Sequence, residues 1–334
     1  MYDVTIKIDL ATPVGDQGFG MPLILLENAS KAVEYTEVFS AVDVVAAGFE
    51  NTSVIYKAVQ LVFAQEHAPK KIAICAVTTP ATDALSDVAL VDKGWRQLIV
   101  INEGETASTP SALSAAVEAL EGKMLFLGFD ADETTGITVS GLRRTVAFFC
   151  DATEEVPVPV AALVGEAAGR DVGSFTYKNL MLSGIAPQIL SSGEVNAIHA
   201  KGGMTFVTKA GDAVTTEGKV MGGEYIDVID SEDYVAQQIQ YKIQKVFNKN
   251  GKVAYTNPGI AMLEAAVVDV LQGAFNAGMI ATKEDGSPDY SVTFALREDT
   301  KAEDRAMRHY PYGNFKFVLA GAIHTVEISG EITV

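Results

Sequence analysis

The sequence predicts an α/β domain with a mostly parallel sheet, then an α+β domain with two long helices, with β-strand arms at both termini. Three observations carry that prediction. Short apolar runs alternate with helical segments up to about residue 200, the pattern of a parallel sheet covered on both faces. Two long helical periodicities occupy the second half. Finally, both ends of the chain alternate strictly. Tyr2, Val4, Ile6, Ile8 and Leu10 interleave with polar residues at the start, and Val326, Ile328, Ile332 and Val334 do so at the finish. Strict alternation gives each segment one apolar face. Termini stay ordered only when something ties them down, so each end expects a sheet to join, in its own domain or in a neighbouring subunit.

The elements follow in order. A loop rich in turn formers, residues 12–20 with Pro13, Gly15, Gly18 and Gly20, separates the first arm from the body. Strands are expected at 21–26, 71–77, 97–101, 123–129 and 145–150, each short and apolar. Helices are expected between them at 53–66, 82–93 and 111–120, the last with Thr109 or Ser111 as cap. A proline-led helix at 156–168 and a short one at 192–201 complete the first domain. Gly211-Asp212 then joins strands 204–208 and 213–216 as a hairpin. The long helices are expected at 231–248 and 258–277. Asn257-Pro258 starts the second and Asn276-Ala277-Gly278 stops it. An amphipathic strand at 290–296, a charged helix at 299–307 and an extended run at 315–334 finish the chain.

Composition narrows the function classes. The 334 residues hold 48% hydrophobic and 20% charged residues, enough for two or three ordered domains. A net charge of −18 repels phosphate backbones and argues against a nucleic-acid partner. Charged residues Asp3, Lys7 and Asp9 stand where a secretory signal needs an apolar core, and Glu264 and Asp269 break the most apolar long stretch, so no signal and no membrane insertion are expected. Cys75 and Cys150 each sit in an apolar strand run and are expected to be buried free thiols.

Catalytic signatures are few. Gly211 to Gly218-Lys219 is too widely spaced for a phosphate-binding loop, and Gly18-Phe19-Gly20 precedes a strand instead of following one. No serine is flanked by glycines at the spacing of a nucleophile elbow. His67, His199, His309 and His324 have no second metal ligand at three or four residues. Neither a cofactor nor a metal is expected. The best enzymatic alternative is a divalent cation held by Asp130, Asp132 and Asp151, which follow predicted strands where open α/β sheets place ligands; solvated loop charge is the more ordinary explanation. Two basic stripes stand out on so acidic a chain. Lys242, Lys245 and Lys249 fall in one arc beside Val235, Ile239, Ile243 and Val246, and Lys301, Arg305 and Arg308 share a side of the later helix. Such stripes suit an acidic partner surface.

The C-terminal third carries a family likeness. The run Lys301-Ala302-Glu303-Asp304-Arg305-Ala306-Met307-Arg308-His309-Tyr310-Pro311, with Phe315-Lys316-Phe317 and Leu319-Ala320-Gly321-Ala322-Ile323-His324 after it, resembles the end of contractile tail sheath proteins of myophages and phage-tail-like bacteriocins. Val253-Ala254-Tyr255-Thr256-Asn257-Pro258-Gly259-Ile260 looks like that family's inter-helix turn, and Ala277-Gly278-Met279-Ile280-Ala281 like its helix exit. Residues 39–49 followed by 53–63 resemble the helical start of its outer domain. The likeness is dense from about residue 225 onward, and its motifs are packing motifs.

The resemblance implies a non-enzymatic structural subunit. Sheath subunits form stacked hexameric rings around a tail tube, are knitted by terminal arms that add strands to neighbours, and contract to drive the tube through a target envelope. It implies an N-terminal arm at 1–20, an outer α/β domain at 21–200, an inner tube-facing α+β domain at 201–322 and a C-terminal arm strand at 323–334. Val4, Ile6, Ile8, Leu10, Val326, Ile328, Ile332 and Val334 would form the intersubunit strands. Gly15, Gly18, Gly20 and Gly321 would be hinges. Lys301, Arg305 and Arg308 would meet the tube, with Lys242, Lys245 and Lys249 second. Partners would be further copies of the chain, the tail tube protein, baseplate and tail terminator. Location would be the bacterial cytoplasm during assembly, then the sheath of a virion or bacteriocin particle.

Overall fold

Alternating side chains on one buried strand set the architecture. Strand β1 (Met21–Glu27) is buried along its whole length. Met21, Leu23 and Leu25 enter one apolar core, while Ile24 and Leu26 enter another on the opposite face. Only a strand covered on both sides can be apolar at every position. The computed structural model describes residues 19–132 and 142–329. The chain divides into two compact units, Met1–Lys252 and Val253–Val334.

In the first unit, β1 is followed by β2 (Val33–Val38), α1 (Ala41–Ala46), α2 (Val54–Phe63) and β3 (Ile72–Ala76). Then come α3 (Ala81–Ala84), α4 (Val88–Val91), β4 (Trp95–Asn102), α5 (Pro110–Glu118), β5 (Met124–Phe129), β6 (Thr145–Phe149), α6 (Val160–Ala168) and α7 (Ser192–Ala200). The unit closes with β7 (Gly203–Lys209), β8 (Asp212–Thr215) and the 24-residue α8 (Ile226–Lys249). Eight strands form one sheet in the order β2-β3-β1-β4-β5-β6-β7-β8. The strands from β3 to β7 run parallel, and an antiparallel strand closes each edge. Helices α1, α2 and α6 cover one face; α3, α4, α5 and α7 supply buried residues to the other. Cys75 and Cys150 lie in opposite cores, are both free, and cannot reach each other.

Sequence and structure differ at several places, each with a local cause. Strand β2 was not anticipated, because Glu34, Tyr35, Thr36 and Glu37 give an edge strand little apolar signal. The helix expected at 82–93 is two short helices, because the Asp87 carboxylate accepts from Ala89 N at 2.9 Å and starts a new turn. The hairpin β7–β8, read with the second domain, extends the large sheet through β6, so the compact division falls at Lys252 and not near residue 200. Helix α8 begins at Ile226, five residues before the expected start at Ser231, and Ile226 and Ile229 join the first core.

The second unit holds α9 (Asn257–Asn276), β9 (Tyr290–Phe294), a 3-10 turn (Arg297–Asp299), α10 (Ala302–Ala306) and β10 (Gly313–Phe317). Thr256 caps α9 by accepting from Gly259 N, and Pro258 sits in the first turn. Strands β9 and β10 pair antiparallel, and α9 lies against them. By length and hydropathy α9 is long and apolar enough to cross a membrane, and its Val267, Val270, Leu271 and Ala274 are buried within the folded chain. Beyond β10 the extended run expected to 334 is a strand only to Phe317. Ile280 bridges Leu319, and residues 321–329 carry no ladder.

Helices α2 and α6 meet at Gly165, where a Cβ would stand 2.6 Å from the Val62 carbonyl oxygen. Gly165→Ala is expected to destabilise the protein by about 1–3 kcal/mol through overpacking. Thermal unfolding of the variant beside a Gly273→Ala control, where a Cβ meets nothing within 4 Å, checks this.

Candidate functional site: a closed crevice and exposed assembly elements

Open parallel sheets bind ligands beyond the strand C-termini, where successive crossovers leave in opposite directions. Here that point lies between β1 and β4. The chain fills it with its own side chains. Glu27, buried at the end of β1, accepts from Ala81 N at 2.7 Å and from Ser108 N at 2.7 Å, and the Ser108 hydroxyl also donates to it. Asn28 beside it donates to Asn102 Oδ1 and to the Thr106 carbonyl, each at 2.9 Å. The loops after β1, β3 and β4 are thus laced together across the crevice. A buried carboxylate bonded to three donors also repels phosphate.

The aspartates of the enzymatic alternative are similarly engaged. Asp130 accepts from Ala152 N at 2.9 Å, and Asp151 accepts from Ala131 N at 2.7 Å. The two loops cap each other; Asp132 is exposed next to them. Among the described residues, no group of three or more His, Cys, Asp or Glu has a metal-binding arrangement.

At the opposite end of the sheet a buried ionic cluster holds α8. Arg96, on β4 and 3% exposed, donates through Nε to Asp230 at 3.1 Å and through Nη1 to Asp233 at 2.7 Å and to the Gly122 carbonyl at 2.9 Å. Arg144 Nη2 donates to Asp233 at 3.0 Å, and the Tyr177 hydroxyl donates to Asp230 at 3.3 Å. Burial alone would raise the Asp233 carboxyl; Arg96 and Arg144 outweigh it and hold Asp233 below its usual range. Phe19 stacks on the Arg96 guanidinium at 4.2 Å and meets Tyr234 of α8 edge-on. Gly20 has φ +85°, and a Cβ there would lie 2.3 Å from Arg96 Cβ. The glycine expected as a hinge is therefore also demanded by close packing. Nothing in its sequence neighbourhood distinguishes the two roles.

The other expected site residues fall as follows. Val4, Ile6, Ile8, Leu10, Gly15, Gly18, Ile332 and Val334 lie outside the described residues. Val326 and Ile328 are 70% and 88% exposed, as is Ile323 at 86%. Gly321 has φ +54°, and a Cβ there would meet nothing within 4 Å. Lys242, Lys245 and Lys249 are all exposed on α8. Lys301, Arg305 and Arg308 do not share a helical face, because α10 spans only five residues. Lys301 is its N-cap, and Arg308 lies past its end at φ 58°. The Arg305 guanidinium turns back to donate to the Thr300 and Arg297 carbonyls.

Residues 226–332 match the family model described as E217 tail sheath protein gp31-like, C-terminal domain. The resemblance to contractile tail sheath proteins is established. Solved structures with the sheath fold extend it over the first unit. The helical sheath of the anti-feeding prophage in its contracted state is 14% identical, with TM-score 0.68, covering 99% of this chain and 98% of that one. A sheath complex of the PVC extracellular contractile injection system, also contracted, is 13% identical, with TM-score 0.69 and coverages of 100% and 96%. A sheath tail protein from Listeria innocua is 9% identical, with TM-score 0.58 and coverages of 85% and 90%. At these identities the structural likeness speaks for the fold. No curated protein sequence matches the chain significantly.

Lys123, buried beside the ionic cluster, donates to the Lys93 and Trp95 carbonyls at 2.9 and 2.6 Å. Burial, helped by Arg96, pushes its ammonium down to about 7. The unfolded chain therefore holds this proton more tightly, and stability should rise with pH from about 7 to about 10.4. Denaturant unfolding across that range should show the rise in the parent chain and a smaller one in Lys123→Met.

Proposed function

We propose that this chain is the structural subunit of a contractile tail sheath. In this reading it polymerises as stacked hexameric rings around a tail tube and contracts to drive the tube through a target envelope. The observation that carries the reading is the pairing of a tail sheath domain match at 226–332 with a sheath-like fold over 99% of the chain. The blocked crevice supports a non-enzymatic role from an independent direction.

Assembly elements fit this role. The β9–β10 sheet has only two strands among the described residues, and small sheets of that size are marginal alone. Each strand offers an outer edge to an incoming strand. The segment with Ile323, Val326 and Ile328 presents exposed apolar side chains without a ladder partner. In the sheath reading it adds to a neighbour, as does the N-terminal arm with Val4, Ile6, Ile8 and Leu10, and Gly321 turns the chain toward that neighbour. The inner, tube-facing role falls to the C-terminal region. For the tube contact, the exposed Lys242, Lys245 and Lys249 are better placed than Arg305, whose guanidinium is spent on its own loop. Lys301 and Arg308 remain available on the surface. Baseplate and tail terminator would bound the stack, assembled in the bacterial cytoplasm.

Deleting residues 323–334 is expected to leave thermal unfolding of the protein unchanged and to abolish sedimentable polymer. Val326→Pro and Ile328→Pro should give partial loss, by removing a ladder donor. Polymer formed by the truncated chain as readily as by the full chain would refute strand exchange, and a truncated chain that fails to fold would assign the strand to its own domain.

A further inference from the structure

The chain passes over a buried cation as it enters its first strand. Arg96 Nε and Nη2 donate to Asp230, and Nη1 donates to Asp233 at 2.7 Å and to the Gly122 carbonyl at 2.9 Å. The rim of the guanidinium is thereby engaged, and its flat faces are left to be covered. Phe19 covers one of them, with the guanidinium carbon 4.2 Å from the ring centroid. The same ring meets Tyr234 of α8 edge-on, with centroids 5.6 Å apart. Phe19 is half-buried and belongs to neither apolar core, so its contacts serve attachment and not filling.

The next residue is fitted to the same side chain. Gly20 has φ +85°, and a Cβ there would lie 2.3 Å from Arg96 Cβ. Met21 then pairs with Trp95 and is buried in the sheet. Residues 19, 20 and 21 are thus fixed in turn by a ring contact, by close approach and by the strand ladder. A freely pivoting linker needs none of these. A pivot at Gly20 would have to lift Phe19 off Arg96 and uncover the face of a buried cation. Residues 1–18 precede this point, a length that spans at most about 60 Å.

We propose that Phe19 is the positioning residue of the N-terminal arm. It clamps the root of the arm to β4 through Arg96 and to α8 through Tyr234, so residues 1–18 start toward a neighbouring copy from a fixed point, and Gly20 is not the pivot. A fixed root raises the effective concentration of the arm at its neighbour and lowers the ordering cost of binding. Asp230 and Asp233 of α8 hold Arg96 in turn, so the root is tied to the long helix twice over. This rests on the sheath reading, in which the N-terminal arm adds a strand to another subunit, and it replaces the glycine hinge at residue 20 with an aromatic clamp.

Sedimentation of full-length variants, at a temperature where thermal unfolding shows all of them folded, tests the clamp. Phe19→Ala should reduce sedimentable polymer about tenfold. Phe19→Tyr, which keeps the aromatic face, should restore polymer to the parent's level. Gly165→Ala, destabilised at the contact of α2 with α6 and not at the arm's root, should polymerise like the parent. Phe19→Ala polymerising like the parent, Phe19→Tyr failing as badly as Phe19→Ala, or Gly165→Ala losing polymer equally would overturn the clamp and leave the sheath reading intact. A parent chain that never polymerises, alone or with a tail tube, would overturn both.

Discussion

Arg96 is the constraint on which the first unit depends. A guanidinium buried to 3% exposure is stable only if its charge is answered and its donors are used. Asp230 and Asp233 answer it from one turn of α8, and the Gly122 carbonyl uses another donor. The ring of Phe19 closes the remaining side. Four separate stretches of chain are thereby fixed relative to one another: the start of the body, β4, the turn before β5 and the long helix. Arg144 adds a fifth at the beginning of β6. Removing one member of such a cluster leaves a buried charge unanswered, at a cost of about 3–5 kcal/mol. The cluster lies at the N-terminal ends of the parallel strands, away from the end where α/β enzymes place their chemistry.

At that opposite end the chain's own side chains bond the loops together. Glu27, buried at the end of β1, bonds the loops after β3 and β4 to that strand. Asp130 and Asp151 cap each other's loops. The polar groups of this end are thus spent on rigidity. What the molecule offers outward is apolar and charged surface at the sheet edges, an exposed lysine row on α8 and an apolar C-terminal segment. Surfaces of that kind serve assembly better than turnover.

Much of the fold was legible because buried parallel strands advertise themselves. β1, β3, β4, β5 and β6 each contain a short, mostly apolar run, and α9 carries Thr256, Asn257 and Pro258 at its start. Edge strand β2 was invisible because one face is polar and the pattern is short. The division at Lys252 was also hidden, since β7 looks like the start of a new texture yet pairs with β6 in the old sheet. Residues of the ionic cluster gave no local signal at all. Arg96 and Asp230 are separated by more than a hundred residues and meet only in the folded chain. The basic stripe on α8 was legible from helical spacing, whereas the one around Arg305 failed because the helix there is too short to define a face.

Electron microscopy of the concentrated full-length chain decides whether it polymerises into a sheath. Hollow tubes built of stacked sixfold rings, formed by the chain alone or on a preassembled tail tube, are the expected result. Particles that remain monomeric at every concentration, with and without the tube, would contradict it.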